Sequence, residues 1–313
     1  MINNKNCNFV SAVVYVHNAE SRITDFLKNI VSVLEENFTQ SEIICVNDYS
    51  GDESVARIKE ANSFVKSTSI TILNMSSFHG LETSMNAGVH LSIGDFVFEF
   101  DTTEIDYDTS KIMEVYNKSM EGYDIVSAAP KKGSKCTSSI FYKLFNHFAK
   151  MQNKIGSESF RILSRRAINR IFNENSNIFY RKAVYASCGL KTAQVVYENT
   201  AKRKAKYNKA EKNYRNRLAV DSLILFTDVG YRFSKAMTGI MMFITILMIV
   251  YSLSIYFAAN PVEGWTTTIL FLSFAFFGLF FALTVVIKYL QILVNLTFKR
   301  KNYNFESIEK LTK

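Results

Sequence analysis

The sequence predicts an α/β domain with a mostly parallel sheet, followed by two membrane-spanning helices. Over the first 200 residues, apolar runs rich in β-branched residues alternate with segments that carry apolar residues at helical spacing. This alternation is typical of parallel sheets covered by helices on both faces. Two later stretches, 238–259 and 266–287, each have 22 residues and no charged side chain. At about 1.5 Å per residue, each is long enough to cross a bilayer core of about 30 Å.

The elements of the α/β domain follow one another in a regular order. Buried strands are predicted from short apolar runs, and helices from apolar residues three or four positions apart. The predicted strands are 9–16, 42–48, 69–74, 95–101 and 123–129, and the predicted helices are 21–37, 52–65, 80–92 and 137–155. A short strand and a basic helix are predicted together within 160–173.

The charge distribution divides the chain into four predicted parts. Residues 201–313 hold 16 of the 37 Lys and Arg residues but only 6 of the 28 Asp and Glu residues, and much of this positive charge flanks the two apolar stretches. Positive charge beside membrane spans indicates a lipid surface rather than a nucleic acid as the partner. The predicted parts are an α/β domain over 1–200, a basic amphipathic juxtamembrane segment over 201–235, a two-helix hairpin over 236–298 and a basic tail over 299–313.

The flanks of the hairpin predict its orientation. Lys and Arg lie before the first stretch and after the second, whereas the short loop between them holds Glu263 and neither Lys nor Arg. Basic flanks mark the cytoplasmic side. With no apolar run before the first strand, we expect a multi-pass plasma-membrane protein whose α/β domain and both termini are cytoplasmic. The alternative is a buried helical hairpin within a soluble core.

Polar side chains follow three of the predicted strands. They include Asn18 and Glu20, then Asp48 and Ser50, and then Asp101 with Thr103, Glu104 and Asp106. Ligands of parallel α/β sheets bind at these carboxyl ends. Oxygen ligands suit Mg²⁺ or Mn²⁺, with Asp48 and Asp101 as the natural pair, and the strand period places Glu99 on the same side as Asp101. The alternative, that such acids cap the following helices, suits Asp52 and Asp108 best.

Basic residues follow the fifth predicted strand and the strand within 160–173. Lys131, Lys132 and Lys135 lie in a loop, and Arg161, Arg165, Arg166 and Arg170 lie in or beside the basic helix. Such groups can hold phosphates, although a solvated charged face is the better explanation for Arg166 and Arg170.

Six segments follow one another along nearly the whole chain in the order of a known motif pattern. The segments are VSAVVYVHNAE, VNDYSGDES, SSFHGLETSMNAGVHLSIGDFVFEFD, IFYKLFNHFA, SFRILSRRAI and KYNKAEKNYRNRLAVDSLILFTDVGYRF. Together they resemble the polyprenyl-phosphate glycosyltransferases, an inverting group of GT-A fold within glycosyltransferase family two. The group includes dolichyl-phosphate mannose synthases and bactoprenol glucosyltransferases, and its bacterial members end in two spans.

The resemblance implies transfer of a sugar from a nucleotide-sugar to a polyprenyl (undecaprenyl) phosphate at the cytosolic membrane face. It implies Asp101 and Arg161 as catalytic residues. A divalent cation, Mg²⁺ or Mn²⁺, is expected on Asp101, with Glu104 or Asp106 as further ligands. The implied nucleotide-sugar contacts are Asn18, Glu20, Asp48, Ser50, Gly80, Asp101 and Thr103, and the implied contacts to the acceptor phosphate are Lys131, Lys135, Arg161 and Lys206.

The chain departs from the family pattern at several positions. Thr103 stands where the second Asp of the DxD motif is expected, and Ser159 stands where an Asp commonly precedes Phe-Arg. Tyr15 replaces a proline and Asn47 replaces an acid. Two alternatives therefore stay open: another lipid-linked acceptor in surface polysaccharide synthesis, or a catalytically impaired scaffold. A homo-oligomer also stays open.

Overall fold

The structure is a computed structural model that describes residues 5–131, 136–149, 154–174, 180–200, 209–227, 229–258, 264–297 and 304–311. The chain forms two compact units. One unit comprises residues 1–219 together with 300–313, and the other comprises 220–299.

The first unit is built on one eight-stranded sheet of mixed direction. The strand order is β7-β5-β6-β4-β1-β2-β3-β8. Neighbouring strands β4-β1, β1-β2, β2-β3 and β5-β7 are parallel, while β6 and β8 run antiparallel to their neighbours. The bounds are β1 Val10–Val16, β2 Ser41–Asn47, β3 Ser69–Met75, β4 Phe96–Phe100, β5 Ile125–Pro130, β6 Phe160–Ser164, β7 Thr192–Tyr197 and β8 Phe305–Leu311. The predicted α/β class with a mostly parallel sheet is confirmed.

Helices lie between the strands, as the alternation predicts. The helices of the first unit are α1 Ile23–Asn37, α2 Ser54–Ala61, α3 Leu81–Leu91, α4 Ser110–Met120, α5 Cys136–Phe148, α6 Arg165–Glu174 and α7 Arg181–Ser187. A further helix, α8 Lys209–Phe226, runs from the first unit into the second. Sequence periodicity did not predict α4, α7, β7 or β8.

The central strands carry the main hydrophobic core on one face; the other, called the polar face here, buries polar and charged side chains among apolar ones. Phe98, Phe100, Phe160 and Ile162 belong to the hydrophobic core, which also includes the buried side of α1. Residues at alternate positions, among them Glu99 and Arg161, cannot join that core, because successive side chains of a strand point to opposite faces. Buried charged groups are thereby gathered on the second face of the sheet.

The second unit contains two long apolar helices, α9 Val229–Ala258 and α10 Trp265–Thr297. Within them, Arg232–Phe257 and Trp265–Leu290 are long and apolar enough to be candidate membrane spans, and few of their residues are buried within the protein. Large apolar side chains such as Phe257 and Phe271 are exposed. This exposure disfavours the alternative of a helical hairpin buried in a soluble core.

The last described residues return to the sheet of the first unit. β8 pairs antiparallel with β3, and Lys59 forms an ion pair of 2.6 Å with Glu309. The residues on both sides of the apolar hairpin therefore belong to the same compact unit. The segment predicted only as a basic tail contributes a strand instead.

Candidate functional site

Two loops at the carboxyl ends of β1 and β2 are joined by reciprocal hydrogen bonds. The backbone N–H of Asn18 donates to Ser50 Oγ at 3.1 Å, and the Asn18 side-chain oxygen accepts from the backbone N–H of Gly51 at 2.9 Å. The backbone N–H of Glu20 donates to Asp52 Oδ2 at 3.0 Å. The two parallel strands end side by side, so residues 32 positions apart in sequence meet, as the strand-end prediction requires.

Asp48 is fully buried and organises the loop that follows β3. Its carboxylate accepts hydrogen bonds from the backbone N–H groups of His79 and Gly80, both at 2.8 Å, and from Tyr15 Oη at 2.9 Å. The tyrosine that replaces the family's proline thus contacts the buried acid at the end of β2. A direct contact between Asp48 and a nucleotide stays a prediction.

Gly80 occupies a position that only glycine fits. Its φ is +83°, and a Cβ there would lie 2.1 Å from Cζ of Tyr214. Gly80→Ala should therefore lower the stability of the first unit by about 1–3 kcal/mol, through backbone strain and overpacking. Thermal unfolding would measure this loss. Gly51→Ala, with no atom within 4 Å of the added Cβ, is the matched control. Equal melting temperatures for the two variants would contradict the packing of Tyr214 on this loop.

The carboxylate of Asp101 lies between two buried guanidinium groups at the end of β4. Arg161, on β6, donates to Asp101 Oδ2 at 2.9 Å, and Arg181, at the start of α7, donates to Asp101 Oδ1 at 2.6 Å. Both arginines are almost completely buried. The structure thus brings together the two predicted catalytic residues and adds Arg181, which was not predicted.

Further carboxylates complete the ion cluster. Glu99, which follows the predicted alternation, accepts from Arg161 at 2.8 Å and from Tyr185 Oη at 2.9 Å. Glu82 accepts from Arg181 Nε at 2.9 Å, and Glu158 accepts from Arg161 Nε at 3.0 Å. Removing so many charges from water is costly unless each finds a partner, and these distances supply the partners.

The ion pairs shift the pKa values of the cluster. Burial acts to raise the pKa of Asp101, but Arg161 and Arg181 outweigh burial and hold it well below its ordinary value. Burial acts to lower the pKa of both arginines, and the surrounding carboxylates raise it well above the ordinary value instead. The Asp101 carboxylate is therefore ionised at neutral pH.

A pocket of about 260 Å³ adjoins Arg161 on the polar face of the sheet. Lys182 lines it and donates to the carbonyl of Gly156 at 3.1 Å. Burial acts to lower the pKa of Lys182, but Tyr142 and Glu158 outweigh it and raise the pKa above its ordinary value, so the ammonium is charged. The polar or charged residues that line the pocket are Ser127, Lys154, Glu158, Arg161, Lys182, Tyr185, Thr192 and Gln194. Arg161 already pairs with three carboxylates, one of them Glu158, so the positive charge that suits this pocket to an anion comes mainly from Lys154 and Lys182.

The predicted metal ligands do not form a cation site in the part of the chain that the structure describes. Both Asp101 oxygens accept from arginines, and Glu104 pairs with Arg22 at 2.8 Å. Asp106 is buried and accepts from Tyr197 Oη at 2.8 Å. No group of three His, Cys, Asp or Glu side chains among the described residues could hold a metal ion. These residues therefore do not fit a preformed site for Mg²⁺ or Mn²⁺.

The remaining predicted residues are Lys131, Thr103 and Ser159, and two lysines that lie outside the described residues. Lys131 is exposed and pairs with Glu198 at 3.2 Å, and Thr103 is buried. Ser159 is buried against the hydroxyl of Tyr197. Lys135 and Lys206 lie outside the described residues, so their contact with an acceptor phosphate stays a prediction.

The sequence patterns do not predict several residues of the cluster. Arg181 and Lys182 lie on a helix that periodicity missed, and Glu158 immediately precedes the substituted position 159. A buried position for Glu82 could have been predicted from its helix. Glu82 shares a helix face with Met85, Asn86 and Val89, all buried, and an acid on a buried face needs a cationic partner.

A mostly parallel α/β sheet with polar loops and an ion cluster at its strand ends agrees with the GT-A fold that the sequence resemblance implies. Residues 11–186, more than half of the chain, match the family described as glycosyl transferase family 2. The chain belongs to this family.

Individual relatives are similar over part of the chain. A glycosyltransferase of Synechocystis sp., described as uncharacterized, is 25% identical over 195 residues, which cover 60% of this chain and 60% of the relative. The bactoprenol glucosyl transferase of Shigella phage SfX is 27% identical over 200 residues, 61% of this chain and 64% of the relative. The matches therefore span less than two thirds of these relatives.

The fold is also similar to a solved structure. The crystal structure of mannosyl-3-phosphoglycerate synthase from Rubrobacter xylanophilus has a TM-score of 0.51 and 16% sequence identity. The similarity covers 69% of this chain and 74% of that chain.

Proposed function

We propose that the protein transfers a sugar from a nucleotide-sugar to a polyprenyl phosphate at the cytosolic face of the plasma membrane. The observation that carries the proposal is the cation-lined pocket next to Arg161 and the Asp101 cluster. An anionic acceptor fits this pocket, and the candidate spans of the same chain suit an acceptor that resides in lipid. The relative named as a bactoprenol glucosyl transferase supports the same acceptor class.

The ionised acceptor phosphate needs orientation more than it needs a base. Its oxygen attacks the anomeric carbon of the sugar while the bond from that carbon to the nucleotide diphosphate breaks, so no proton has to be removed. Arg161 and Lys182 hold the phosphate on the pocket side, and Asp101 fixes Arg161 from the other side. Holding the two reactants in the reactive geometry supplies a large part of the reduction in the activation free energy.

The described side chains do not form a site for a divalent cation, so no step of the proposed transfer depends on one. The predicted contacts of Asn18, Glu20, Ser50 and Gly80 with the donor are retained in the proposal, since the two joined loops and the loop after β3 lie at the carboxyl ends of β1, β2 and β3.

The proposed cytosolic orientation follows from the chain's connectivity. The sheet unit holds residues on both sides of the hairpin, and two spans return the chain to the side from which it started. Basic residues on both flanks support a cytoplasmic location for that side. The domain boundaries proposed from the sequence are retained, except that 304–311 add a strand to the first domain.

The purified full-length protein can be tested with a set of labelled nucleotide-sugars, with and without polyprenyl phosphate. We expect nucleoside diphosphate release that depends on polyprenyl phosphate, and label in the lipid extract. Label on a different lipid-linked acceptor would favour the first alternative function. No release with any donor, from a correctly folded protein, would favour the scaffold.

Replacing Lys182 by methionine should weaken use of the acceptor selectively. Losing a charged hydrogen bond costs about 1.5–3 kcal/mol, so the KM for polyprenyl phosphate should rise about 10–100-fold while the KM for the nucleotide-sugar stays within about twofold. Lys118→Met, which removes an exposed lysine paired with Glu121, is the control. A rise in the donor KM with an unchanged acceptor KM would instead assign the pocket to the donor.

A further inference from the structure

Helix α3 begins with a glycine at its N-cap position. Gly80 offers no side-chain oxygen to the first-turn N–H groups, which have no acceptor within the helix itself. The backbone N–H of Glu82 is one of these groups, and it donates to the hydroxyl oxygen of Tyr214. Tyr214 lies on α8, far along the chain. A side chain from another helix therefore caps α3 where the local residue cannot.

Tyr214 fits closely against the segment that precedes α3. Its ring contacts the ring of Phe78 edge to face, with 5.8 Å between the two centroids. The ring also fills the space beside Gly80 that the side chain of any other residue at position 80 would need. The glycine that cannot cap α3 thus makes room for the tyrosine that does.

The capped residue belongs to the buried ion cluster. The Glu82 carboxylate accepts from the backbone N–H and from Nε of Arg181, both at 2.9 Å. Arg181 in turn donates to Asp101 Oδ1 at 2.6 Å. A shift in the first turn of α3 would move Glu82 with it, and would therefore change how Arg181 meets Asp101.

We propose that Tyr214 is a positioning residue for sugar transfer, which caps α3 through the N–H of Glu82 and so holds the Glu82 carboxylate where Arg181 and Asp101 require it. This role rests on the proposed function. It needs no contact between Tyr214 and a substrate, because Tyr214 acts through Glu82. The tyrosine lies in the predicted juxtamembrane segment 201–235 but within the first compact unit, so part of that segment serves the α/β unit itself.

Hydrogen exchange of the full-length protein tests the cap without requiring transfer activity. Tyr214→Phe keeps the ring and removes the acceptor oxygen, so the fragment covering residues 78–85 should lose the protection of about one amide, that of Glu82. Tyr116→Phe is the matched control, because it removes a hydroxyl that accepts from Asn8 Nδ2 at 2.8 Å, and it should leave this fragment unchanged. Unchanged exchange in Tyr214→Phe would overturn the proposal.

A double-mutant cycle tests whether Tyr214 acts through Glu82. Tyr214→Phe should lower kcat about 3–10-fold, the equivalent of one hydrogen bond, and leave the KM for polyprenyl phosphate within about twofold. In protein that already carries Glu82→Gln, the same change should lower kcat little further, because the carboxylate that the cap positions is gone.

The outcomes separate this role from the proposed function. Effects of the two changes that simply multiply, in a parent protein that transfers sugar, would overturn the role of Tyr214 and leave the proposed function standing. A correctly folded parent that transfers no sugar would overturn the proposed function, and the positioning role with it.

Discussion

Replacing Asp101 by asparagine should reduce the rate of sugar transfer by about 10²–10³-fold, the usual effect of losing one preorganised charge contact. The carboxylate holds both Arg161 and Arg181 through separate oxygens. An asparagine offers one oxygen as acceptor and turns an NH₂ donor toward the other guanidinium, which is repelled. Initial rates of nucleoside diphosphate release, at saturating donor and acceptor, measure the effect.

Asp108→Asn is the control for this prediction. Asp108 is exposed and accepts from the backbone N–H of Ser110 at the start of α4, in agreement with the capping interpretation. Its replacement should leave the transfer rate near that of the parent. A rate within about twofold of the parent for Asp101→Asn would remove Asp101 from the site, since contacts of this kind contribute more.

Asp101→Asn should also change how the stability of the protein depends on pH. A carboxylate whose pKa is lowered on folding contributes stability above its unfolded pKa, and that contribution is lost as the pH falls through the folded pKa. Asp101 has such a lowered pKa, so the stability difference between parent and Asp101→Asn should be largest near neutral pH and shrink below about pH 4. Denaturant unfolding at a series of pH values measures it.

The parts of the site that could be predicted are those fixed by strand geometry. The apolar runs of β1, β2 and β4 predict parallel strands, and parallel strands place their carboxyl ends along one edge. From this edge alone, Asn18, Asp48 and Asp101 could be assigned to one side of the domain. The two-residue period likewise placed Glu99 with Asp101, and both bind Arg161.

The parts that could not be predicted depend on long-range packing or weak local patterns. Arg181 reaches Asp101 across 80 positions, and nothing in its local sequence specifies that partner. β7 and β8 lie at the two ends of the sheet, where strands are partly exposed and lack a long apolar run. The short helix α7 has too few turns for its apolar spacing to be recognised.

The serine at position 159, where the family commonly has an aspartate, changes which acid lines the pocket. Ser159 is buried against Tyr197, whereas its neighbour Glu158 contacts Arg161 and lines the cation-rich pocket. The carboxylate expected at position 159 is therefore present one residue earlier. From the sequence alone, only the missing acid at position 159 is visible, because the sequence does not reveal that the side chain of Glu158 lines the pocket.

Replacing Arg181 should strongly destabilise the first unit, because its buried guanidinium pairs with three carboxylates. Arg181→Met leaves Glu82, Glu99 and Asp101 with fewer cationic partners in a region that excludes water. Removing one partner of a buried ion pair typically costs about 3–5 kcal/mol, because the remaining charge is uncompensated. We therefore expect a large fall in the melting temperature of the first unit, together with loss of transfer as Asp101 loses one of its two arginines.

Two further variants distinguish loss of charge pairing from loss of side-chain packing. Arg57→Met removes an exposed arginine that bridges Glu53 and Glu60 on α2, and it should change the melting temperature little. The double variant Glu82→Gln/Arg181→Met removes one of the carboxylates left uncompensated, so it should recover part of the lost stability. If the double variant is no more stable than Arg181→Met alone, the arginine acts through packing rather than charge. Recovery of stability without recovery of transfer would show that Arg181 is needed for the reaction itself.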